Sequence, residues 1–176
     1  SEIIRELKQR TPVAVTLSLG QRSEGDLLAW RAAGADRYLL RFETSNRVLY
    51  ERIHPAVDGK TSDRFQILRR LRQMGYEIGS GVMVGIPGQT YASIADDIEI
   101  FRGMDMDMIG IGPYLPHPAT PLGQEFARRT AEGDWPDDQA ANTELATCRV
   151  LALTRLARPD SNLPATTALS LADKAG

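Results

Sequence analysis

Short blocks of apolar and β-branched residues alternate along the chain with stretches in which apolar residues recur every three or four positions. The first pattern predicts strands and the second helices. Residues 13–19 (VAVTLSL) are nearly continuous in apolar and β-branched side chains, as a strand covered on both faces requires. Residues 37–42 (RYLLRF), 78–85, 108–114 and 163–169 are further strand candidates, about five in all. Between them, Phe65, Leu68, Leu71 and Met74 recur at a spacing of three, with Thr61, Ser62 or Asp63 as cap and Gly75 as stop. Ile94, Ile98 and Phe101 form a second stripe, opened by Thr90 and closed near Gly103. Ala146, Val150, Leu153 and Ala157 form a third, ended by Arg158 and Pro159. Leu28 and Ala32 predict a shorter helix over residues 24–33, stopped by Gly34, and residues 1–10 read as a helix ahead of the first strand.

Repeated strand–helix–strand order means parallel strands with right-handed crossovers. The predicted fold is α/β, a partial TIM-type (βα) barrel of about five parallel strands with outer helices. A complete eight-stranded barrel needs about 250 residues, and this chain has 176. No linker divides it, so residues 1–176 are expected to form a single partial-barrel domain. A chain that opens on a helix inside this alternation reads as cut from something longer.

Strand side chains alternate between two faces. In the second run, Tyr38, Leu40 and Phe42 make an apolar face suited to packing under helices, while Arg37, Leu39, Arg41 and Glu43 make the other. Elsewhere the corresponding inward set contains Thr16 and Ser18, then Gly79, Gly81 and Met83, then Gly110 and Gly112. A closed barrel normally fills its middle with Val, Ile and Leu. Here the interior set is small or polar, which predicts a hollow lined with hydrogen-bonding groups and suited to a ligand. The competing reading is that the glycines only relieve crowding between helix and sheet.

Candidate chemistry sharpens this picture at a few places. The segment 43–64 is a long strand-to-helix connection holding Glu43, Arg47, Arg52 and Arg64, and such loops build the active sites of parallel α/β proteins. A carboxylate beside guanidinium groups suits a zwitterion, the Glu accepting from an ammonium and the Arg holding a carboxylate. Arg47 and Arg52 read as solvated surface charges. Residues 85–90 (GIPGQT) form a tight strand-to-helix turn, with Gly88 at the position that needs a positive φ. His54 and His117 stand alone in stiff, proline-flanked segments, so a histidine metal site is not expected. Asp96, Asp97 and Glu99 read as solvated charges near a helix start, and Cys148 as helix packing. The net charge of -2, with signs interspersed, gives no reason to expect nucleic acid or an anionic membrane as partner. No apolar run approaches the roughly 20 residues of a membrane span. The lone thiol is compatible with a cytoplasmic setting.

Several segments taken in order resemble one family: ADRYLLRFET, then RVL and ERIHP, then GVMVGIPGQT, DMIGIGPYLPHPATPL and RPDSNLPATTA. Together they are similar to the HydE maturases of FeFe-hydrogenase, radical S-adenosylmethionine (SAM) enzymes. Biotin synthase and methylornithine synthase are more distant members of the same group. The resemblance implies that a 4Fe–4S cluster cleaves SAM to methionine and a 5′-deoxyadenosyl radical, in the service of assembling the hydrogenase active site (H-cluster). Carried over by motif, Glu43 meets the SAM amino group, Arg64 its carboxylate, Arg41 lines the site and Thr16 is a polar lumen position. Thr166 and Thr167 match the paired threonines of an internal anion pocket, to which Met83 also belongs. The cluster motif CX3CX2C is absent from this sequence, so the chain as given is expected not to cleave SAM alone. The alternatives are a biotin synthase-like or methylornithine synthase-like reaction, or a non-catalytic binding or scaffold module. A small-molecule substrate is expected. The open edges at residues 13–19 and 163–169 lead us to expect self-association or pairing with a missing barrel half.

Overall fold

The computed structural model describes residues 1–56, 59 and 61–172. Four strands, β1 (Thr16–Leu17), β2 (Arg37–Leu39), β3 (Glu77–Val84) and β4 (Met108–Pro113), form one parallel sheet in the order β1-β2-β3-β4. Each strand therefore neighbours the next in sequence. That is the winding of a barrel wall, not the reversing order of a doubly wound sheet. The helices are α1 (Glu2–Arg10), α2 (Glu24–Ala32), α3 (Arg47–Ile53), α4 (Arg64–Gln73), α5 (Tyr91–Gly103), α6 (Pro121–Glu132), α7 (Glu144–Ala157) and α8 (Thr167–Ala172).

The helix ends follow from their caps. Asp63 accepts from Gln66 N, Thr90 and Ser93 make a reciprocal capping box, and Thr143 accepts from Ala146 N. Gly75, at φ +86, ends α4 in the left-handed region. The core lies between the sheet and these helices. Tyr38, Leu40 and Phe42 are buried in it, and the Phe42 ring sits 4.6 Å from Phe65 and 5.4 Å from Phe101. The apolar face of β2 thus packs outward under α4 and α5, as the alternation predicts. On α2 the buried stripe is Leu27 and Ala33 with Trp30 partly buried, whereas Leu28 and Ala32 are exposed. Leu27 O accepts from the Tyr76 hydroxyl on the buried side, and the side carrying Leu28 has no covering element among the described residues. Leu153 is likewise exposed on α7, which turns Thr147, Val150 and Thr154 inward instead.

The fifth strand is not formed. Residues 163–169 give one bridge at their threshold, Met108 with Asn162, where Ile109 N donates to Asn162 O and Asn162 N to Asp107 O, both at 2.8 Å. Pro164 then follows, with no N–H to donate to a ladder. Contact with β4 passes to a side chain, Thr166 Oγ1 donating to Ile111 O at 3.1 Å, and α8 begins at the next residue. The outer side of β4 is therefore met by Asn162 and α8, and β1 alone keeps the open edge expected of both. The connection 43–64 also contains more order than its composition suggests, because Asn46 accepts from Leu49 N and starts α3.

β2 carries a bulge. Leu39 pairs with Gly79 and Glu43 with Val82, so β2 uses one residue more than β3 over this stretch. The broken ladder is repaired by the buried hydroxyl of Ser80, which accepts from Phe42 N at 3.2 Å and donates to Leu40 O at 2.9 Å. The expected cost of Ser80→Ala is about 1–3 kcal/mol, because two buried backbone groups lose their partner. A lowered denaturation midpoint in urea checks it.

Asp97 departs from its reading as a solvated charge. Asp96 and Glu99 are exposed, but Asp97 is fully buried. Burial pushes its carboxyl up to about 7, against the Ser45 N–H hydrogen bond that pulls it down and with the Asp96 charge adding to the rise. A carboxyl raised in the folded state binds a proton that the unfolded chain has already released. Its stability contribution is therefore present below about pH 4 and declines as pH rises towards 7. Asp97→Asn should flatten that part of the profile and gain on the wild type at about pH 8, as chemical denaturation at several pH values will read.

Candidate functional site

The inner face of the sheet is lined as the alternation requires. Arg41 lies flat on it, its Nη1 only 2.9 Å and 2.8 Å from where a Cβ would stand on Gly81 and Gly110. No side chain could occupy either position without displacing the guanidinium. Arg41 donates from Nε to Glu43 Oε1 at 2.8 Å, from Nη2 to Oε2 at 3.0 Å and from Nη2 to Val82 O at 2.8 Å. The two side chains are 29% and 18% exposed, so this bidentate pair is partly desolvated but still open to a ligand.

The pair bounds a cavity of about 290 Å³ whose other walls include Met83, Gly112, Thr166 and Ala168. Thr166 Oγ1 sits 2.7 Å from the place a Cβ would take on Gly112, so this glycine too makes room for a polar group. Met83 is shared with a neighbouring apolar cavity of about 430 Å³, which is walled by Tyr114, Leu115 and Leu122 and reached by His117. Glu43 has φ +66, unusual for a non-glycine residue. Thr44 N donates back to Phe42 O at 2.9 Å, closing a three-residue turn around it.

Arg64 opens α4. Its backbone N–H donates to the Tyr50 hydroxyl at 3.1 Å, and its Nη1 donates to the carbonyl of Arg41. Its Nε is buried with no partner. The side chain faces a separate cavity of about 480 Å³ that Gln21, His54, Thr61 and Ser62 also line. Burial first, and the Arg64 charge second, lower the His54 pKa, so that ring is neutral at pH 7. It stacks at 4.4 Å on Tyr50.

Two of the residues selected from the sequence lie elsewhere. Thr16 pairs with Arg37, the first residue of β2, and lines a cavity of about 190 Å³ with Arg37, Glu77 and Asp107. At roughly 3.3 Å per residue it sits about 13 Å below the level of Arg41. Thr167 is exposed at the start of α8, so of the threonine pair only Thr166 reaches the cavity. Arg47 and Arg52 pair with Glu51 and Glu125, the solvated role expected of them.

The GIPGQT turn is as read, with Gln89 N donating to Ile86 O at 2.8 Å and Gly88 at φ +90. Its fastening was not foreseen. The buried Gln89 amide accepts from Gly85 N and donates to Met83 O, while Gln139 accepts from Gly88 N and donates to Ile86 O. Among the described residues no three His, Cys, Asp or Glu side chains gather to hold a metal ion. The one cysteine, Cys148, is exposed on α7. An iron–sulfur cluster of the expected kind takes three thiolates, and the residues of this chain do not fit one.

No protein-family model matches the chain. It is 45% identical over 169 residues to the [FeFe] hydrogenase maturase subunit HydE of Thermotoga maritima, covering 96% of this chain and 44% of that protein. It is 28% identical to the biotin synthase of a Sulfurihydrogenibium species, covering 93% and 44% of the two. Among solved structures, methylornithine synthase (PylB) superposes with a TM-score of 0.70 at 25% identity, over 93% of this chain and 44% of that one. The chain spans less than half the length of these relatives. It shares its sequence and its fold with part of the radical SAM enzymes of the HydE and biotin synthase group.

Proposed function

We propose that Glu43, Arg41 and Arg64 bind the amino-acid end of S-adenosylmethionine, and that the chain serves as the SAM-holding portion of a radical SAM enzyme in H-cluster maturation. The observation that carries this is the juxtaposition of an inward carboxylate with a second guanidinium. Glu43 faces the cavity, and Arg64 touches the Arg41 backbone with its Nε buried and unpartnered. An ammonium suits Glu43, whose oxygens keep free lone pairs beside Arg41. A carboxylate suits the Arg64 fork. Thr166 and Met83 face the same cavity and would meet substrate. Thr16, about 13 Å lower by strand rise, falls outside this proposal.

The residues of the chain bind and orient. A 4Fe–4S cluster would supply the electron for SAM cleavage, and this sequence, with one cysteine, does not hold the thiolates to bind it. The open edge of β1 suits pairing with further barrel strands, which would close the cavity on that side. No helix among the described residues is long and apolar enough to cross a membrane. A second reading, a biotin synthase-like or methylornithine synthase-like reaction, draws on the likeness to those two enzymes. It uses the same SAM site and differs in substrate.

Calorimetric titration of the chain with SAM tests the proposal. Glu43→Gln and Arg64→Ala should each weaken binding by about tenfold or more, the loss of one charge-assisted contact. Equal affinity of Glu43→Gln and wild type overturns it.

A further inference from the structure

The turn that presents Glu43 is held from two directions. On the sheet side, Glu43 N donates to Gly81 O at 2.9 Å and Met83 N to Glu43 O at 3.2 Å. On the helix side stands the fully buried carboxyl of Asp97 in α5, which accepts the backbone N–H of Ser45. Its second oxygen and the Ser45 hydroxyl are both buried without partners. A buried carboxyl with an orphan oxygen is costly to keep. Packing does not require it, since a leucine would fill the same space without the desolvation. What it does is fix the peptide two residues beyond Glu43.

The same anchor reaches Arg64. Ser45 leads into Asn46, whose side chain caps α3 and whose own N–H donates to the buried Thr44 hydroxyl at 3.2 Å. α3 carries Tyr50, and the Tyr50 hydroxyl accepts from Arg64 N and donates to Ser62 O, each at 3.1 Å. A peptide plane held at Ser45 is thus continuous with both ends of the zwitterion site. A non-glycine residue at positive φ persists only where its surroundings over-determine it.

We infer that Asp97 is a positioning residue: by holding the Ser45 N–H it keeps Glu43 in its left-handed conformation with the carboxylate facing the cavity, and through α3 it sets Arg64. This rests on the reading that Glu43 and Arg64 hold the amino-acid end of SAM. Asp97→Asn keeps the accepting oxygen, whereas Asp97→Leu removes it at similar volume.

The test joins amide exchange by NMR to SAM titration, on the 176-residue chain. In the wild type the Ser45 amide should exchange about a thousandfold more slowly than in an unstructured peptide, as buried, bonded amides do. Asp97→Asn should keep that protection and bind SAM within about twofold of wild type. Asp97→Leu should lose the protection at Ser45 and weaken SAM binding by about tenfold, the loss of one charged hydrogen bond. If Asp97→Leu retains affinity while Glu43→Gln loses it, the positioning role is wrong and the SAM reading stands. If Glu43→Gln binds as wild type does, the SAM reading fails, and Ser45 protection across the Asn and Leu variants still decides whether Asp97 holds the turn. Should the leucine variant not fold, an unprotected Ser45 amide in the wild type overturns the inference by itself.

Discussion

The structure turns on a steric fact about two glycines. A methyl group on Gly81 would stand 2.1 Å from the carbonyl oxygen of Gly110, and both positions lie under the guanidinium of Arg41. β3 and β4 therefore present bare backbone where a filled barrel presents aliphatic layers. A cationic side chain can lie along the sheet interior because nothing stands up from it. The desolvation this imposes on Arg41 is offset by the Glu43 carboxylate and the Val82 carbonyl. The bulge in β2 belongs to the same arrangement. It shifts the ladder by one residue beside the charged pair, and Ser80 mends the break behind them.

The strand period made much of this legible. One face of residues 37–43 is aromatic and aliphatic, the other charged, and burial of Tyr38 and Phe42 leaves Arg41 one direction to go. The glycines at 79, 81, 110 and 112 fall on that same face in register, so period and composition agreed. Helix starts were readable at Thr90 and, to within three residues, at Asp63, because each accepts from an amide three residues on. The last strand was misread because a run of apolar and β-branched residues outweighed Pro164, whose missing N–H ended the ladder after one bridge. α3 was missed because it is seven residues long and sits in a segment rich in charge.

Asp97 and Gln89 were beyond sequence reading for a different reason. Their partners are backbone groups, at Ser45 for Asp97 and at Gly85 and Met83 for Gln89. Backbone amides carry no residue-type signature, so a polar side chain that serves one looks like any solvated residue. Asp97, unlike Asp96, falls on the apolar stripe, three residues after Ile94 and four before Phe101, but that spacing signals burial and not the partner. Thr16 shows the converse limit. Alternation names the face a residue takes but not its height or exposure: register sets Thr16 level with Arg37, where it is exposed.

β1 is two residues long and, among the described residues, lacks a second neighbour in the sheet. Water therefore reaches the charged pair from that flank, and the field between Arg41, Glu43 and any zwitterion is damped by a solvent-like dielectric. Coulomb energy at fixed distance rises about fourfold when an effective dielectric of 80 falls to 20. Whatever completes the wall beyond β1 would strengthen every charged contact already present without adding one of its own. Affinity for the proposed zwitterion would therefore be set as much by enclosure as by the residues that touch it.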